Sequence, residues 1–102
     1  NITGGGLPEN IKRVIPDGLC AEINLKKINT LQIFRWLKKN NISDIEMLKT
    51  FNCGVGFCLI IKKSNYKKVK KFFKNNFVPY EIGYISRDNE RLKLINKLKW
   101  RK

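Results

Sequence analysis

The chain has 102 residues, of which 42% are hydrophobic, so it can bury one modest core and has no room for a second domain. Its 22 Lys+Arg and 8 Asp+Glu give a formal net charge of +14, which favours contact with phosphate-bearing partners. We expect neither a membrane span nor a secretion signal, because no apolar run is long enough, and no metal cage, because histidine is absent.

The first predicted element is a helix that follows a glycine-rich loop. Gly4, Gly5 and Gly6 stand directly before Pro8, a residue that is favoured in the first turn of a helix. The apolar positions of the following segment have helical spacing: Ile11, Val14 and Ile15.

A half-buried strand is predicted next. The turn-forming residues 16–18 end the helix, and residues 19–25 alternate between apolar and polar side chains. The predicted inward positions are Leu19, Ala21, Ile23 and Leu25, and the predicted outward positions are Cys20, Glu22 and Asn24.

Two helices should follow this strand. Thr30 is placed to cap a helix that ends at residues 40–41. Ser43 and Glu46 have the spacing of a capping box, which predicts a second, short helix that ends before Asn52. The inner face of the first helix is predicted to comprise Leu31, Ile33, Phe34 and Leu37.

The apolar segment from Gly54 to Ile61 predicts the central strand, covered on both faces. Ser64 is expected to cap a lysine-rich helix, and the segment from Val78 to Ile85, with Pro79 near its start, suits a strand near a sheet edge. In the lysine-rich helix we expect Tyr66, Val69, Phe72 and Phe73 to point inward and Lys67, Lys68, Lys70, Lys71 and Lys74 to point outward.

The tail from Arg87 to Lys102 predicts a helix, although Leu92 and Leu94 also fit the alternation of a strand. Strands and helices interleave without strict alternation. The predicted fold class is therefore α+β, an α/β sandwich in which helices pack on a small mixed sheet.

The three consecutive glycines are the first candidate for a binding site. Such a loop lets the backbone approach a ligand, and the helix N-terminus behind it adds partial positive charge, so the loop can hold a phosphate or a carboxylate. Thr3 can add a hydroxyl donor to this site. A tight loop without any ligand explains the glycines equally well, and both interpretations stay open.

The second candidate is the segment FNCGVG at residues 51–56, where Gly54 and Gly56 interrupt bulky sequence. Asn52 and Cys53 lie in this turn. Without a histidine base, Cys53 is interpreted mainly as a packing residue rather than a nucleophile. Cys20, Cys53 and Cys58 lack the spacing of a zinc site, and free thiols of this kind fit a reducing, cytoplasmic location.

The high positive charge has two interpretations. Lys, Asn and Ile are abundant together along the whole chain, as an AT-rich coding sequence would produce, and this compositional bias is the favoured interpretation. The alternative is a basic module that binds nucleic acid or another polyanion, without catalysis, through the lysine-rich helix of residues 67–74 and the lysine-rich tail.

At the two glycine segments the sequence resembles the C-terminal domain of the aminoimidazole ribonucleotide synthetase family. The resemblance rests on ITGGGLPENIKRVIP, IFRWL, EMLKTFNCGVG and the later EIG, in that order, and it spans about residues 1 to 86. Residues 86–102 form a tail that carries no recognisable family motif. The chain is therefore expected to be the C-terminal portion of that domain, spanning residues 1–102.

This resemblance implies an ATP-dependent cyclo-ligase of purine biosynthesis, a homodimeric, nucleotide-binding enzyme that uses magnesium. The family closes formylglycinamidine ribonucleotide to aminoimidazole ribonucleotide, with ADP and phosphate as the other products. Its ATP- and metal-binding residues lie mainly in an N-terminal domain that this chain lacks, so we expect this chain alone to be inactive and to bind neither ATP nor Mg²⁺. The residues that the resemblance places at the substrate cleft are Thr3, Gly4, Gly5, Gly6, Asn52, Gly54 and Gly56.

One position departs from the family pattern. The family usually has histidine immediately before its glycine motif, and here Asn1 holds that place. Two sister enzymes share the architecture, formylglycinamidine ribonucleotide synthetase and selenophosphate synthetase, but the FNCG segment argues against both. A domain without its remaining parts should expose apolar surface, which predicts self-association.

Overall fold

The computed structural model describes residues 1–73 and 78–100, and within these ranges helices pack on a mixed three-stranded sheet. This arrangement confirms the predicted α+β class. The elements are α1 (Gly6–Val14), β1 (Leu19–Asn24), α2 (Gln32–Lys38), α3 (Asp44–Thr50), α4 (Tyr66–Lys70), β2 (Gly83–Arg87) and β3 (Leu92–Ile95), with single 3-10 turns at Leu25–Lys27 and Lys63–Asn65.

The sheet has the order β2-β1-β3, so β1 is its central strand. β2 runs antiparallel to β1 and β3 runs parallel to it. Ala21 in β1 therefore lies between Ile85 of β2 and Leu92 of β3 on one face of the sheet. That face belongs to the core, because Ala21 and Ile23 are both buried.

The core forms between this face of the sheet and the helices. Helix α1 packs against α3, and both bury apolar side chains that recur at helical spacing. The buried cluster comprises Leu7, Ile11, Ile15, Ala21, Ile23, Leu25, Ile28, Met47, Leu48, Cys53, Val55 and Leu98.

Several elements form as the sequence predicts. Helix α1 follows the glycine loop, and the backbone N–H of Glu46 donates to the Ser43 side-chain oxygen at 3.2 Å, as a helix cap requires. Helix α3 ends at Thr50, before Asn52. Residues in turns of this kind are predictable because their hydrogen bonds are local in sequence.

Several predicted side-chain roles are wrong. Helix α2 begins after Leu31, and the Thr30 hydroxyl donates instead to the carbonyl of Lys99 at 2.8 Å. Cys20 was predicted to point outward but is buried, although it lies on the same face of β1 as Glu22 and Asn24. Of the four residues predicted for the inner face of helix α2, Leu31 and Ile33 are exposed, and Phe34 and Leu37 pack against the core.

The prediction of a central strand from Gly54 to Ile61 is wrong. No strand forms there, and Phe57 is 67% exposed. A strand needs a neighbour for its N–H and C=O groups, and both edges of β1 are already taken by β2 and β3. The apolar run therefore indicates a segment that could join a sheet, but it does not show whether a strand is free to pair with it.

The C-terminal half of the chain differs from prediction as well. The tail forms β3 rather than a helix, because its alternating Leu92 and Leu94 fit the free edge of β1. The predicted strand of residues 78–85 begins only at Gly83. The prediction that Ser64 caps the lysine-rich helix is wrong, because Ser64 lies in the preceding 3-10 turn and Asn65 is the N-cap of α4. Helix α4 is short, and Phe72 and Phe73 are exposed rather than directed inward. Lys74, predicted to face outward on this helix, lies outside the described residues.

In the described ranges, no helix combines the length and the apolar character that crossing a membrane requires.

Candidate functional site

The first part of the candidate site is the loop of residues 3–6, which leads directly into α1. Gly5 and Gly6 have φ angles of 91° and 70°, in the left-handed region that glycine adopts without strain. The N–H of Gly6 donates to the carbonyl of Thr3 at 3.0 Å, which closes the turn. The consecutive glycines are therefore required by the backbone path itself.

The three glycines face different surroundings. Gly4 has open space where a side chain would begin, and it is exposed. At Gly5 a Cβ would lie 2.8 Å from the Glu9 side chain, and at Gly6 it would overlap the carbonyl oxygen of Leu48 in α3. A ligand can therefore approach the loop freely at Gly4, whereas at Gly5 the Glu9 side chain lies close to where a Cβ would be, although Gly5 itself is exposed.

Asn10 holds this loop from within α1. Its side-chain Nδ2 donates to the carbonyl oxygen of Gly6 at 2.7 Å and also lies 3.2 Å from that of Thr3 and 3.4 Å from that of Gly4. The Thr3 hydroxyl lies 3.2 Å from Asn10 Oδ1. No motif in the sequence marks Asn10, but its helical position four residues after Gly6 is a signal that could have indicated this contact.

The second part of the site is the turn at residues 52–56. Cys53 and Gly54 have φ angles of 55° and 114°. The N–H of Gly54 donates to Asn52 Oδ1 at 2.8 Å, and that of Val55 donates to the Asn52 carbonyl at 2.9 Å. A Cβ on Gly54 would lie 2.5 Å from the Asn29 carbonyl, so this glycine admits a neighbouring backbone rather than a ligand.

The two segments are neighbours in space. The N–H of Ile2 donates to the carbonyl of Gly56 at 2.9 Å, so the residue that precedes the loop pairs with the end of the second turn. A groove of about 180 Å³ runs beside this junction, with Ile2, Asn10, Arg13 and Ile60 in its walls. It combines apolar walls with one guanidinium group.

The predicted site residues divide by exposure. Gly6 is buried, and Asn52 and Gly54 are half-buried. Four residues of the predicted set are exposed: Thr3, Gly4, Gly5 and Gly56. A ligand can therefore reach fewer residues than the seven that were predicted to form the site.

Cys53 has the properties of a packing residue. It is fully buried, and burial, with the Asp44 carboxylate as a smaller cause, raises the pKa of its thiol to about 11. Burial also raises the pKa of the Cys58 thiol. Both thiols stay protonated at neutral pH, which opposes a nucleophilic role.

Mg²⁺ prefers carboxylate oxygens as ligands, and the residues of this site offer few of them. In the part of the chain that the structure describes, no three His, Cys, Asp or Glu side chains come together. The carbonyls of Thr3 and Gly6 already accept hydrogen bonds from Asn10. These residues do not fit a magnesium site of their own.

Comparison with known proteins relates most of the described fold to one family. Residues 1–95 match the family described as AIR synthase related protein, C-terminal domain. This match extends beyond residue 86, where the recognisable motifs end, and it includes β3.

Individual relatives carry related names. The chain is 40% identical over 87 residues to phosphoribosylformylglycinamidine cyclo-ligase of Prochlorococcus marinus (strain NATL1A), an overlap that covers 83% of this chain and 25% of the relative. A protein of the same name from Staphylococcus epidermidis (strain RP62A) is 40% identical over 92 residues, covering 88% of this chain and 27% of the relative. The trifunctional purine biosynthetic protein adenosine-3 of Chironomus tentans is 50% identical over 72 residues, covering 70% of this chain and 5% of the relative. The chain thus spans about a quarter of the length of the two cyclo-ligases.

Proposed function

Because the chain belongs to the AIR synthase related protein family, through that family's C-terminal domain, we propose that it is the C-terminal part of a phosphoribosylformylglycinamidine cyclo-ligase. The complete enzyme would use ATP to close formylglycinamidine ribonucleotide to aminoimidazole ribonucleotide in purine biosynthesis. About three quarters of such an enzyme lie outside this chain, so the chain alone is incomplete as a catalyst.

The chemistry assigns this chain a role in binding and orientation. ATP phosphorylates the formyl oxygen of the substrate, a substrate nitrogen then attacks the same carbon, and the oxygen leaves as phosphate when the five-membered ring closes. The exposed part of the loop, Thr3 to Gly5, is proposed to bind an anionic group of the phosphorylated substrate. Asn52, Gly54 and Gly56 are proposed to border the same substrate crevice, with Gly54 allowing the close approach of the Asn29 backbone. Positioning of this kind contributes by holding the reacting groups in register.

One observation carries this assignment. The hydrogen bond from Ile2 to Gly56 joins two segments that are far apart in sequence, and each of them contains glycines that the substrate cleft would use. Were the segments on opposite sides of the domain, they would not serve one substrate. The guanidinium of Arg13 in the adjoining groove supports an anionic ligand.

Several partners follow from the proposal. The ATP-binding residues are expected in an N-terminal domain. The described residues do not fit Mg²⁺, so residues of that N-terminal domain would bind the metal. The enzyme is expected to form a homo-oligomer. Asn1 stands where the family usually has histidine, so a role of that side chain in substrate handling would be altered in this protein.

A chimaera tests the proposal directly. Residues 1–95 of this chain would replace the matching segment of the Staphylococcus epidermidis cyclo-ligase, and ring closure would be measured as ADP release that depends on formylglycinamidine ribonucleotide. We expect activity, with restoration of purine-independent growth in a strain that lacks the enzyme. A folded chimaera without activity, beside an active unmodified relative, would refute the proposal. A second version with histidine in place of Asn1 isolates the effect of that departure.

The alternative of a basic polyanion-binding module is not favoured by these comparisons, since the family match extends over residues 1–95 and includes the lysine-rich region.

A further inference from the structure

The side chain of Asn10 makes a set of contacts that helix formation does not require. A residue at this position of a helix normally directs its side chain to solvent or to one neighbour. Asn10 instead gathers the carbonyl oxygens of Thr3, Gly4 and Gly6 around its Nδ2, at 3.2, 3.4 and 2.7 Å. One amide group thus fixes the direction of three peptide groups in the loop.

This arrangement has a consequence for the loop's N–H groups. Within one planar peptide group, the C=O of a residue and the N–H of the next residue point in opposite senses. The Thr3 and Gly4 carbonyls, which are held on the α1 side, therefore leave the N–H groups of Gly4 and Gly5 directed away from α1. The described residues provide no hydrogen-bond acceptor for the N–H of Gly4 or of Gly5. Both glycines are exposed, and the space beside Gly4 is open.

We infer that Asn10 is a positioning residue, which presents the N–H groups of Gly4 and Gly5 to a phosphate group by binding the carbonyls of the same loop. The inference rests on the proposed function and extends it to a residue outside the two glycine segments. Asn10 also lines the groove beside Ile2 and Arg13, so it joins the loop to the nearest cationic side chain of that groove. Asn10 itself does not contact the phosphate.

The 102-residue chain permits a test that is independent of catalysis. Ribose 5-phosphate, a phosphorylated ribose, would be titrated into ¹⁵N-labelled protein while the amide signals of Gly4 and Gly5 are followed. We expect saturable shifts in the unaltered chain. In Asn10→Ala the dissociation constant should rise about three- to tenfold, the equivalent of one ordinary hydrogen bond. Asn10→Gln keeps the amide and should recover part of the affinity.

A matched control is available at the end of α2. Asn40 also donates from its side-chain amide to a carbonyl, that of Leu37 at 3.3 Å, but it takes no part in the loop. Asn40→Ala should leave the affinity for ribose 5-phosphate unchanged. If Asn10→Ala fails to fold, Asn10→Ser replaces it, because a shorter hydroxyl side chain cannot reach three carbonyls.

The outcomes separate this inference from the proposed function. Equal affinity in the unaltered chain and in Asn10→Ala would overturn the role of Asn10 while leaving the loop assignment intact. Absence of shifts at Gly4 and Gly5 in the unaltered chain would overturn the loop assignment together with this inference. Activity of the chimaera is measured separately and decides whether the domain serves ring closure at all.

Discussion

Gly6 is the residue whose identity the fold constrains most directly. Its φ of 70° is strained for any residue with a side chain, and a Cβ would overlap the Leu48 carbonyl where α1 approaches α3. Gly6→Ala is therefore predicted to lower the free energy of unfolding by at least about 3 kcal/mol. Urea unfolding followed by circular dichroism measures this change.

Gly18 supplies the matched control for Gly6. Its φ of 84° is also left-handed, but nothing lies near the position of its Cβ. Gly18→Ala should cost only the backbone strain, about 1–2 kcal/mol. Equal losses for the two substitutions would contradict the close approach of α1 to α3 at Gly6.

The buried thiol of Cys53 predicts a specific pH dependence. Its pKa is raised from an ordinary 9.0 to about 11, so the folded state favours the protonated thiol. The stabilisation is complete below pH 9 and is lost as pH rises to about 11, because the unfolded chain ionises first. Its size is about 1–3 kcal/mol. Cys53→Ala should remove this part of the pH dependence, as judged from unfolding free energies measured across that range.

Lysine titration over the same range affects both proteins alike, so only the difference between their profiles is informative. Parallel stability profiles for the unaltered chain and for Cys53→Ala would show that the thiol does not ionise as described.

At the residue scale, sequence reasoning succeeded where hydrogen bonds are local. The cap formed by Ser43 and Glu46 follows from their spacing alone. The structural reason for a glycine at a given position is harder to predict from sequence. Both glycine segments stand out in the sequence, but the groups that approach Gly6 and Gly54, the carbonyls of Leu48 and Asn29, are distant in sequence.

Among the elements, the error over the central strand has a physical origin. The segment from Gly54 to Ile61 is more apolar than β3, yet β3 pairs with β1 and the segment does not. Apolar character indicates that a segment is suited to burial, whereas strand formation also depends on which strand edges of the sheet are free to pair. The sequence alone does not say which segment reaches the edge of β1.

The C-terminal segment after β3 is a second element that periodicity described poorly. Leu98 is 5% exposed within the core, Lys99 accepts from Thr30, and Trp100 Nε1 donates to Asp44 Oδ1 at 2.9 Å. These contacts lie beyond residue 95, where the family match ends. The segment therefore contributes to this domain through contacts of its own.

Leu98→Ala is predicted to lower the free energy of unfolding by about 2–4 kcal/mol, since it removes a buried side chain and leaves a cavity. The neighbouring Lys97 is exposed, so Lys97→Ala should change stability by no more than about 0.5 kcal/mol. Thermal unfolding compares the two variants. Similar melting temperatures for both would contradict the packing of this segment into the core.

For the molecule as a whole, the exposed apolar segment predicts self-association. Phe57, Leu59, Ile60 and Ile61 are all more than a third exposed in a segment that no described strand covers. Sedimentation of the isolated chain should show dimers or larger species at high concentration. Phe57→Lys combined with Ile60→Lys should shift the chain to monomer with little change in stability, because both side chains are already exposed. A monomer at every concentration for the unaltered chain would refute this prediction.

The net charge of +14 is interpreted as compositional bias, and the family match over residues 1–95 does not favour the alternative of a nucleic-acid-binding module. Fold class and family were both predictable, since they depend on motifs and on element types. The open face of the site was not, because it depends on which glycine faces solvent and which faces another part of the backbone.

Gly4 provides the most direct test of the central claim, that the glycine loop and the turn at residues 52–56 form one site for a phosphorylated substrate. A side chain at Gly4 meets no neighbouring atom, so Gly4→Val should leave the fold unchanged while it covers the exposed N–H groups. In the chimaera, this substitution is predicted to raise the KM for formylglycinamidine ribonucleotide about tenfold or more, with an unaltered melting temperature. Unchanged KM and kcat in a fully folded Gly4→Val chimaera would contradict the claim.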